Sequence, residues 1–113
     1  MNDLSTLQCE SRVTAEGLLD SEQLQHYLSQ LHTEWRIVDH EKHKQVLAKN
    51  FSCNNFAEAI KIVNATARIA EQEDHHPDIC FGWGYCNIEF TTHSAGGLTL
   101  NDFICAVKID QTT

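Results

Sequence analysis

The segment between Asn55 and Pro77 constrains the fold more than any other part of the chain. Asn55 can cap a helix, and Glu58 stands three residues later at the capping-box position. Pro77 disfavours helical backbone in the residue before it, so the helix is predicted to end near His75 or His76. Its apolar residues recur at helical spacing and form one stripe: Phe56, Ala59, Ile60, Val63, Ala67 and Ala70. Such a stripe must pack against a second layer of structure.

Strands are predicted on both sides of this helix. Before it, residues 35–38 and 45–53 are rich in apolar and β-branched side chains, and the polar segment 39–43 would connect them as a hairpin. After it, residues 85–93 alternate between apolar and polar side chains, which is typical of a half-buried strand. These segments predict a small antiparallel sheet.

Two further helices complete the predicted order. Ser21 is the expected N-cap of the first, which presents Leu24, Tyr27, Leu28 and Leu31. The glycines at positions 96 and 97 predict a turn, and Thr99 with Asp102 forms a capping box for the last helix. The sequence therefore predicts an α+β fold in the order α-β-β-α-β-α, with helices packed on one face of the sheet. Three strands leave open edges, so we expect an oligomer whose sheet continues into a second subunit.

Length and charge narrow the class of protein. The chain has 113 residues and is predicted to form one domain over residues 18–113, preceded by a flexible polar segment over residues 1–17. The net charge of −8 argues against direct binding to nucleic acid. We expect a cytoplasmic protein without membrane association, because the sequence has neither a signal peptide nor an apolar run of about 18–20 residues.

The five cysteines are odd in number and include no C-x-x-C pair. We interpret them as reduced thiols, several of them packed as small apolar groups. A metal role for Cys80 and Cys86 is the weaker alternative.

Three histidines lie at predicted element ends, where functional groups concentrate: His75, His76 and His93. They could be surface or capping groups, metal ligands, or acid/base groups in a pocket. A metal site is disfavoured because the usual helical spacing of two histidine ligands, i and i+4, is absent. Histidine exchanges protons near neutral pH, as acid/base catalysis requires. The residues alone leave these interpretations open.

A longer motif surrounds the histidines. It runs Glu71-x-x-Asp74-His75-His76-Pro77, then through the alternating strand to Thr92-His93, and then Gly96-Gly97-Leu98-Thr99-x-x-Asp102. This ordered pattern resembles the pterin-4a-carbinolamine dehydratase family. Trp35 at the first strand and Asn55-Phe56 at the long helix agree with it, so the resemblance covers approximately residues 20–110.

The resemblance implies a small α+β subunit that assembles into dimers or tetramers. It implies a hydro-lyase that needs no cofactor and no metal. The implied substrate is the 4a-hydroxytetrahydropterin that an aromatic amino acid hydroxylase releases. Loss of water gives quinonoid dihydropterin, which a reductase returns to tetrahydropterin.

The resemblance also implies site residues. His75, His76 and His93 match the active-site histidines, and we expect His75 and His93 to flank the reacting centre while His76 binds or orients. Substrate-binding positions are expected at four further residues: Asp74, Glu71, Trp83 and Asp102. Asp102 could orient an imidazole or only cap its helix, and Glu71 could be a solvated helix residue. Asp74 could hold the pterin or a histidine, or lie on the surface.

Two aromatic residues receive different expectations. Trp83 could stack on a flat pterin, within a glycine-rich segment from Asp78 to Gly84 that is predicted to form a flexible rim. Trp35 is expected to pack in the core.

Two alternative functions stay open. Some family members act as dimerisation partners that stabilise a transcription factor, so the chain could be a non-enzymatic binding module. It could also act on a related pterin, for example in molybdopterin chemistry.

Overall fold

The computed structural model describes residues 4–31, 34–41 and 44–113. Within these ranges the chain forms three α-helices and four β-strands, together with short 3₁₀ helices at Leu4–Thr6 and Ala15–Gly17. The elements follow in the order α1 (Ser21–Ser29), β1 (Arg36–His40), β2 (Lys44–Ser52), α2 (Phe56–Glu73), β3 (Asp78–Gly82), β4 (Tyr85–Phe90) and α3 (Leu100–Thr112). The predicted α+β class is confirmed.

The sheet is antiparallel with the strand order β1-β2-β4-β3. The predicted order α-β-β-α-β-α was wrong, because it lacked β3. That strand occupies most of the segment that was predicted to be a flexible rim, and it pairs with β4 from Asp78 opposite Glu89 to Gly82 opposite Tyr85. Gly84 turns the chain between the two strands at φ 89°, a backbone conformation that favours glycine. The glycines that suggested a loose rim therefore build a hairpin.

The first hairpin has a shorter connection than predicted. Asp39 and His40 belong to β1, where they pair with Gln45 and Lys44 of β2. Lys42 and His43, which were predicted to lie in the turn, are outside the described residues.

The core lies between one face of the sheet and the helices. Cys86, Ile88 and Phe90 of β4 are fully buried, and so are Phe103 and Ile109 of α3. The predicted core position of Trp35 is confirmed: it is 5% exposed, and its indole N–H donates to the Asp110 carboxylate at 3.0 Å.

The prediction of which α2 residues form the buried apolar stripe was only partly correct. Ala59 and Ala70 are buried, but Phe56 is 48% exposed and contacts the Phe81 ring with 5.8 Å between centroids. Thr66 takes a place on the buried face instead, fully enclosed. The helix packs on α3 as well as on β3 and β4, and β3 was not anticipated.

The N-cap residues of α2 and α3 agree with the sequence, but that of α1 does not. Asp20, not Ser21, is the cap: its Oδ1 accepts from the Gln23 N–H at 2.8 Å, and Gln23 Oε1 accepts from the Asp20 N–H at 3.0 Å. Asn55 caps α2 as predicted, with Oδ1 accepting from the Glu58 N–H at 2.8 Å. The capping box predicted for α2 is not formed, because Glu58 accepts from the Asn54 N–H at 3.3 Å and not from Asn55. In the described part of the chain, no helix is long and apolar enough to cross a membrane.

Described residues of the N-terminal segment, which was predicted to be flexible, contact the rest of the domain. Leu4 is 3% exposed in the main hydrophobic cluster. Glu10 and Asn101 bond in both directions, from the Glu10 N–H to Asn101 Oδ1 at 3.0 Å and from Asn101 Nδ2 to the Glu10 carbonyl at 2.8 Å. Although this segment is mostly polar, a few of its apolar side chains pack against the core near α3.

Candidate active site

The end of α2 turns the chain so that two adjacent histidines leave the helix. Asp74 has left-handed backbone, with φ 51° and ψ 45°, which aspartate tolerates better than most residues. The N–H groups of Asp74 and His75 both donate to the Ala70 carbonyl, which closes the helix as a left-handed cap does. His76 and Pro77 then lead into β3.

Strand pairing brings the third histidine to the same place. Because Asp78 pairs with Glu89, the residues before β3 and after β4 lie at one end of the hairpin. A tight turn from Thr92 to Gly97 follows, in which Gly96 has φ 81°. An open cavity of about 360 Å³ lies between these segments. Its lining contains all three histidines: Asp74, His75, His76, Pro77, Asp78, Thr91, Thr92, His93 and Ser94.

His75 is the most firmly held of the three histidines that line this cavity. Its side chain is 11% exposed, and Nε2 lies 2.6 Å from Asp102 Oδ1. Its ring stacks on Phe90 with 5.8 Å between centroids and 9° between planes. Stacking on one side and a carboxylate at one edge leave the imidazole little freedom to rotate.

Asp102 belongs to a buried hydrogen-bond chain. Its side chain is fully buried, and Oδ2 accepts from the Thr92 hydroxyl and from the Thr99 N–H, each at 2.9 Å. The Thr92 and Thr99 hydroxyl oxygens are 2.7 Å apart. Because Thr92 donates to Asp102, the Thr99 hydroxyl must donate to Thr92.

This chain fixes the proton position on His75. A carboxylate only accepts hydrogen bonds, so the Nε2–H of His75 donates to Asp102. Nδ1 is then the ring nitrogen that can accept or release a proton. Asp102 therefore contacts both the His75 imidazole and the N–H of Thr99, the capping residue of α3.

His76 and His93 are exposed on the rim of the cavity. The Nε2 atom of His76 lies 2.5 Å from Glu71 Oε2, with the two side chains 56% and 77% exposed. Glu71 thus reaches the site only through His76. His93 lies within the Thr92–Gly97 turn, where its carbonyl accepts from the Gly96 N–H.

Trp83 is not brought to these histidines within one chain. It is 72% exposed in the turn between β3 and β4, at the opposite end of β3 from Asp78. Five residues of extended strand separate the two positions by roughly 16 Å.

The sequence did not single out Thr92, Thr99 or Phe90 as residues of the site. Thr92 and Thr99 lie in the motif, and Phe90 lies on the alternating strand, but none was named as a site residue. Only the tertiary fold shows that Phe90 meets the His75 ring and that both threonines meet Asp102. No local pattern could have found these contacts.

The described residues also form a cavity away from the three histidines. A larger cavity of about 590 Å³ lies between β2, α2 and the end of α3, with Lys49, Phe51, Lys61 and Asp110 in its lining. Lys49 pairs with Asp110 there at 3.0 Å. Across residues 4–31, 34–41 and 44–113, no cluster of three or more histidine, cysteine or acidic side chains is arranged to hold a metal. All five cysteines are free thiols.

The sequence of this chain matches a known protein family. The family model described as "Pterin 4 alpha carbinolamine dehydratase" matches residues 17–112. The chain belongs to the pterin-4-alpha-carbinolamine dehydratase family. The resemblance seen in the sequence is thereby confirmed.

Curated relatives match over nearly their whole length. A Legionella pneumophila (strain Lens) protein named "Putative pterin-4-alpha-carbinolamine dehydratase" is 44% identical over 97% of this chain and 95% of its own. Proteins with the same name are 38% identical in Nitrosomonas eutropha, over 96% of this chain and 92% of theirs, and 37% identical in Alkaliphilus metalliredigens, over 98% and 96%.

Two solved structures share the fold. One is a "transcriptional coactivator/pterin dehydratase" from Brucella melitensis, with 26% identity and a TM-score of 0.74 over 83% of this chain and 96% of that one. The other is a "pterin dehydratase-like protein" described as a RuBisCO assembly factor in the alpha-carboxysome, with 26% identity and a TM-score of 0.58 over 72% and 90%.

Proposed function

We propose that this protein dehydrates 4a-hydroxytetrahydropterin to quinonoid dihydropterin, as a cytoplasmic hydro-lyase of tetrahydropterin recycling. The observation that supports this most is the single cavity lined by His75, His76 and His93, with His75 fixed by buried Asp102. Membership of the dehydratase family supports the reaction class.

The reaction requires two proton transfers. The hydroxyl on C4a leaves as water once it is protonated, and a ring nitrogen loses a proton as the new double bond forms. Electrons stay within the pterin, so the reaction is neither an oxidation nor a reduction. One imidazolium can act as the acid and one imidazole as the base, because histidine changes charge near neutral pH.

We assign His75 and His93 to the two sides of the reacting carbon. The Nδ1 atom of His75 would exchange the proton while Nε2–H stays bonded to Asp102. His76, held by Glu71, would orient the pterin from the rim of the cavity, and Asp74 would bind its polar edge.

Trp83 fits this proposal only through self-association. The edge strand β3 and its hairpin turn expose Phe81 at 37% and Trp83 at 72%. An edge of this kind can pair with a second copy of the chain. We propose that Trp83 contributes to pterin binding only where another subunit brings it to a cavity.

A second candidate is a non-enzymatic module that stabilises a protein partner. The names of the two solved relatives favour it, since one is called a coactivator and the other an assembly factor. The exposed Phe56, Phe81 and Trp83 would supply a docking surface. This function would not require the histidines.

The test is dehydration of chemically prepared 4a-hydroxytetrahydropterin, followed by absorbance with chelator present. We expect wild type to accelerate the reaction, and His75→Ala and His93→Ala each to lose about 10²-fold or more of that acceleration, because general acid/base groups typically contribute 10²–10⁴-fold. His26→Ala, on the exposed surface of α1, is the matched control and should keep full activity.

A folded wild type without activity would overturn the dehydratase proposal. Retention of full activity in both His75→Ala and His93→Ala would reject the acid/base roles. Capture of a specific partner by an inactive wild type, lost in Trp83→Ala but not in His75→Ala, would establish the binding module instead.

A further inference from the structure

We propose that Cys9 and Cys105 form a redox-sensitive pair, and that peroxide converts it to a disulfide which fastens the N-terminal segment to α3. The two Sγ atoms are 3.6 Å apart in the reduced chain. A disulfide requires about 2.0 Å between sulfurs, so the atoms need to approach by about 1.6 Å. Small rotations of two side chains can supply that approach. The inference does not depend on the proposed dehydratase activity.

The backbone beside Cys9 is held in place for this reaction. The Cys9 N–H donates to Glu73 Oε1 at 2.8 Å, which ties the segment to the end of α2. The neighbouring Glu10 bonds in both directions to Asn101 of α3. The approach of the two thiols is therefore part of the packed fold, fixed on one side by α2 and on the other by α3.

The two thiols differ in exposure to solvent, and this difference determines which of them reacts first. Cys105 is fully buried, whereas Cys9 is half-buried. The hydrogen bond with Cys9, together with burial, raises the pKa of the Cys105 thiol far above its usual range. Cys9 therefore meets the oxidant first, and Cys105 acts as the resolving thiol.

The chemistry balances with hydrogen peroxide as the oxidant. The Cys9 sulfur attacks one peroxide oxygen, the O–O bond breaks, and Cys9 sulfenic acid and water form. The Cys105 sulfur then attacks the Cys9 sulfur and the S–O bond breaks. The departing hydroxide takes the Cys105 proton to give a second water. Two thiols and one peroxide become one disulfide and two waters.

The bond would join α3 to a segment that is itself hydrogen-bonded to the end of α2, and both helices support the histidine cavity. Cys105 lies one helical turn after Asp102 on α3. Cys9 is bonded to Glu73, two residues before His75. A cross-link between residues so distant in sequence restricts the unfolded chain, so the oxidised protein should resist unfolding more than the reduced protein.

The experiment compares the full chain after reduction and after a stoichiometric dose of hydrogen peroxide. Digestion without reductant, followed by mass spectrometry, should show a peptide pair linked through Cys9 and Cys105. Calorimetry should show a Tm higher by about 5–15 °C in the oxidised protein, reversed by dithiothreitol.

Two variants separate the proposal from general thiol oxidation. Cys9→Ser should lose both the linked peptide and the rise in Tm. Cys80→Ser, which removes an exposed thiol on β3, should keep both. If peroxide has oxidised Cys80 in the wild type and the Cys9–Cys105 link is still absent, the proposal is overturned. A rise in Tm that survives in Cys9→Ser would also overturn it.

Discussion

Two adjacent histidines in this protein each pair with a carboxylate, in opposite surroundings. His75 and Asp102 are 11% and 0% exposed, and Asp102 accepts two further hydrogen bonds. His76 and Glu71 are 56% and 77% exposed. The distances between the partners are nearly equal, at 2.6 Å and 2.5 Å. Geometry alone therefore does not distinguish the two pairs.

The difference lies in what each carboxylate would meet if its partner were lost. Glu71 would meet water, which replaces the contact at almost no cost in free energy. Asp102 is fully buried, so water cannot replace a lost partner. Its carboxylate is therefore stabilised only by the hydrogen bonds from His75, Thr92 and the Thr99 N–H. We conclude that desolvation, not contact distance, separates a fixed imidazole from an adjustable one.

The largest effect is expected when the charge of the buried pair is removed. In Asp102→Asn the amide must still accept from the Thr99 N–H, so its NH₂ group faces His75 Nε2, which can no longer donate. We expect the free energy of unfolding to fall by about 2–4 kcal/mol. Dehydration activity should fall by about 10²-fold or more, because the imidazole takes the wrong tautomer. Denaturant unfolding and the pterin assay measure the two effects.

The pH profile of activity in Asp102→Asn distinguishes a role of Asp102 in orienting His75 from a role in stability alone. If Asp102 acts through His75, the profile of folded Asp102→Asn must change shape. An unchanged profile with lower amplitude would mean that Asp102 serves stability alone.

An intermediate effect is expected at Glu73, whose side chain is 5% exposed and pairs with Lys108 at 2.9 Å. Burial alone would raise the pKa of Glu73, but bonds from the Cys9 N–H and from Lys108 outweigh it and hold the pKa below the usual value. A carboxyl whose pKa is lower in the folded chain stabilises it above the unfolded pKa. That contribution disappears as the pH falls through the folded pKa.

Glu73→Gln should therefore lower the free energy of unfolding by about 1–2 kcal/mol at pH 7. The difference from wild type should shrink as the pH falls below about 4.5. Urea unfolding across this range measures it, and Lys108→Gln should give the same trend. A difference independent of pH would show that packing, not charge, sets the role of Glu73.

The smallest effect is expected at the exposed pair. Glu71→Gln should change the free energy of unfolding by no more than about 0.5 kcal/mol, because exposed ion pairs contribute little. A loss comparable to that of Asp102→Asn in the same unfolding assay would contradict the role assigned to burial.

Local chemistry explains which parts of the fold the sequence could predict. The Asn55 cap and the Gly96–Gly97 turn depend on neighbouring residues, and both were predicted. The alternating strand was predicted over residues 85–93, but β4 ends at Phe90. The motif also predicted the three histidines that line one cavity. Their proposed roles stay predictions.

The features that the sequence missed depend on distant contacts. Strand β3 has no regular alternation, with Asp78, Cys80 and Phe81 all exposed, and only its pairing with β4 makes it a strand. The contacts of the N-terminal segment could not be predicted locally, because their partners, Glu73 and Asn101, lie far along the chain. The environment of Asp102 likewise depends on Thr92, ten residues away.

One feature of α3 links the folding of the chain to the site. The Thr99 N–H at the start of this helix donates to the same carboxylate that holds His75. Opening of the Thr99 N–H bond therefore removes one of the contacts that hold the Asp102 carboxylate beside His75. A partly folded chain whose third helix has unravelled at its start would hold the His75 imidazole less firmly.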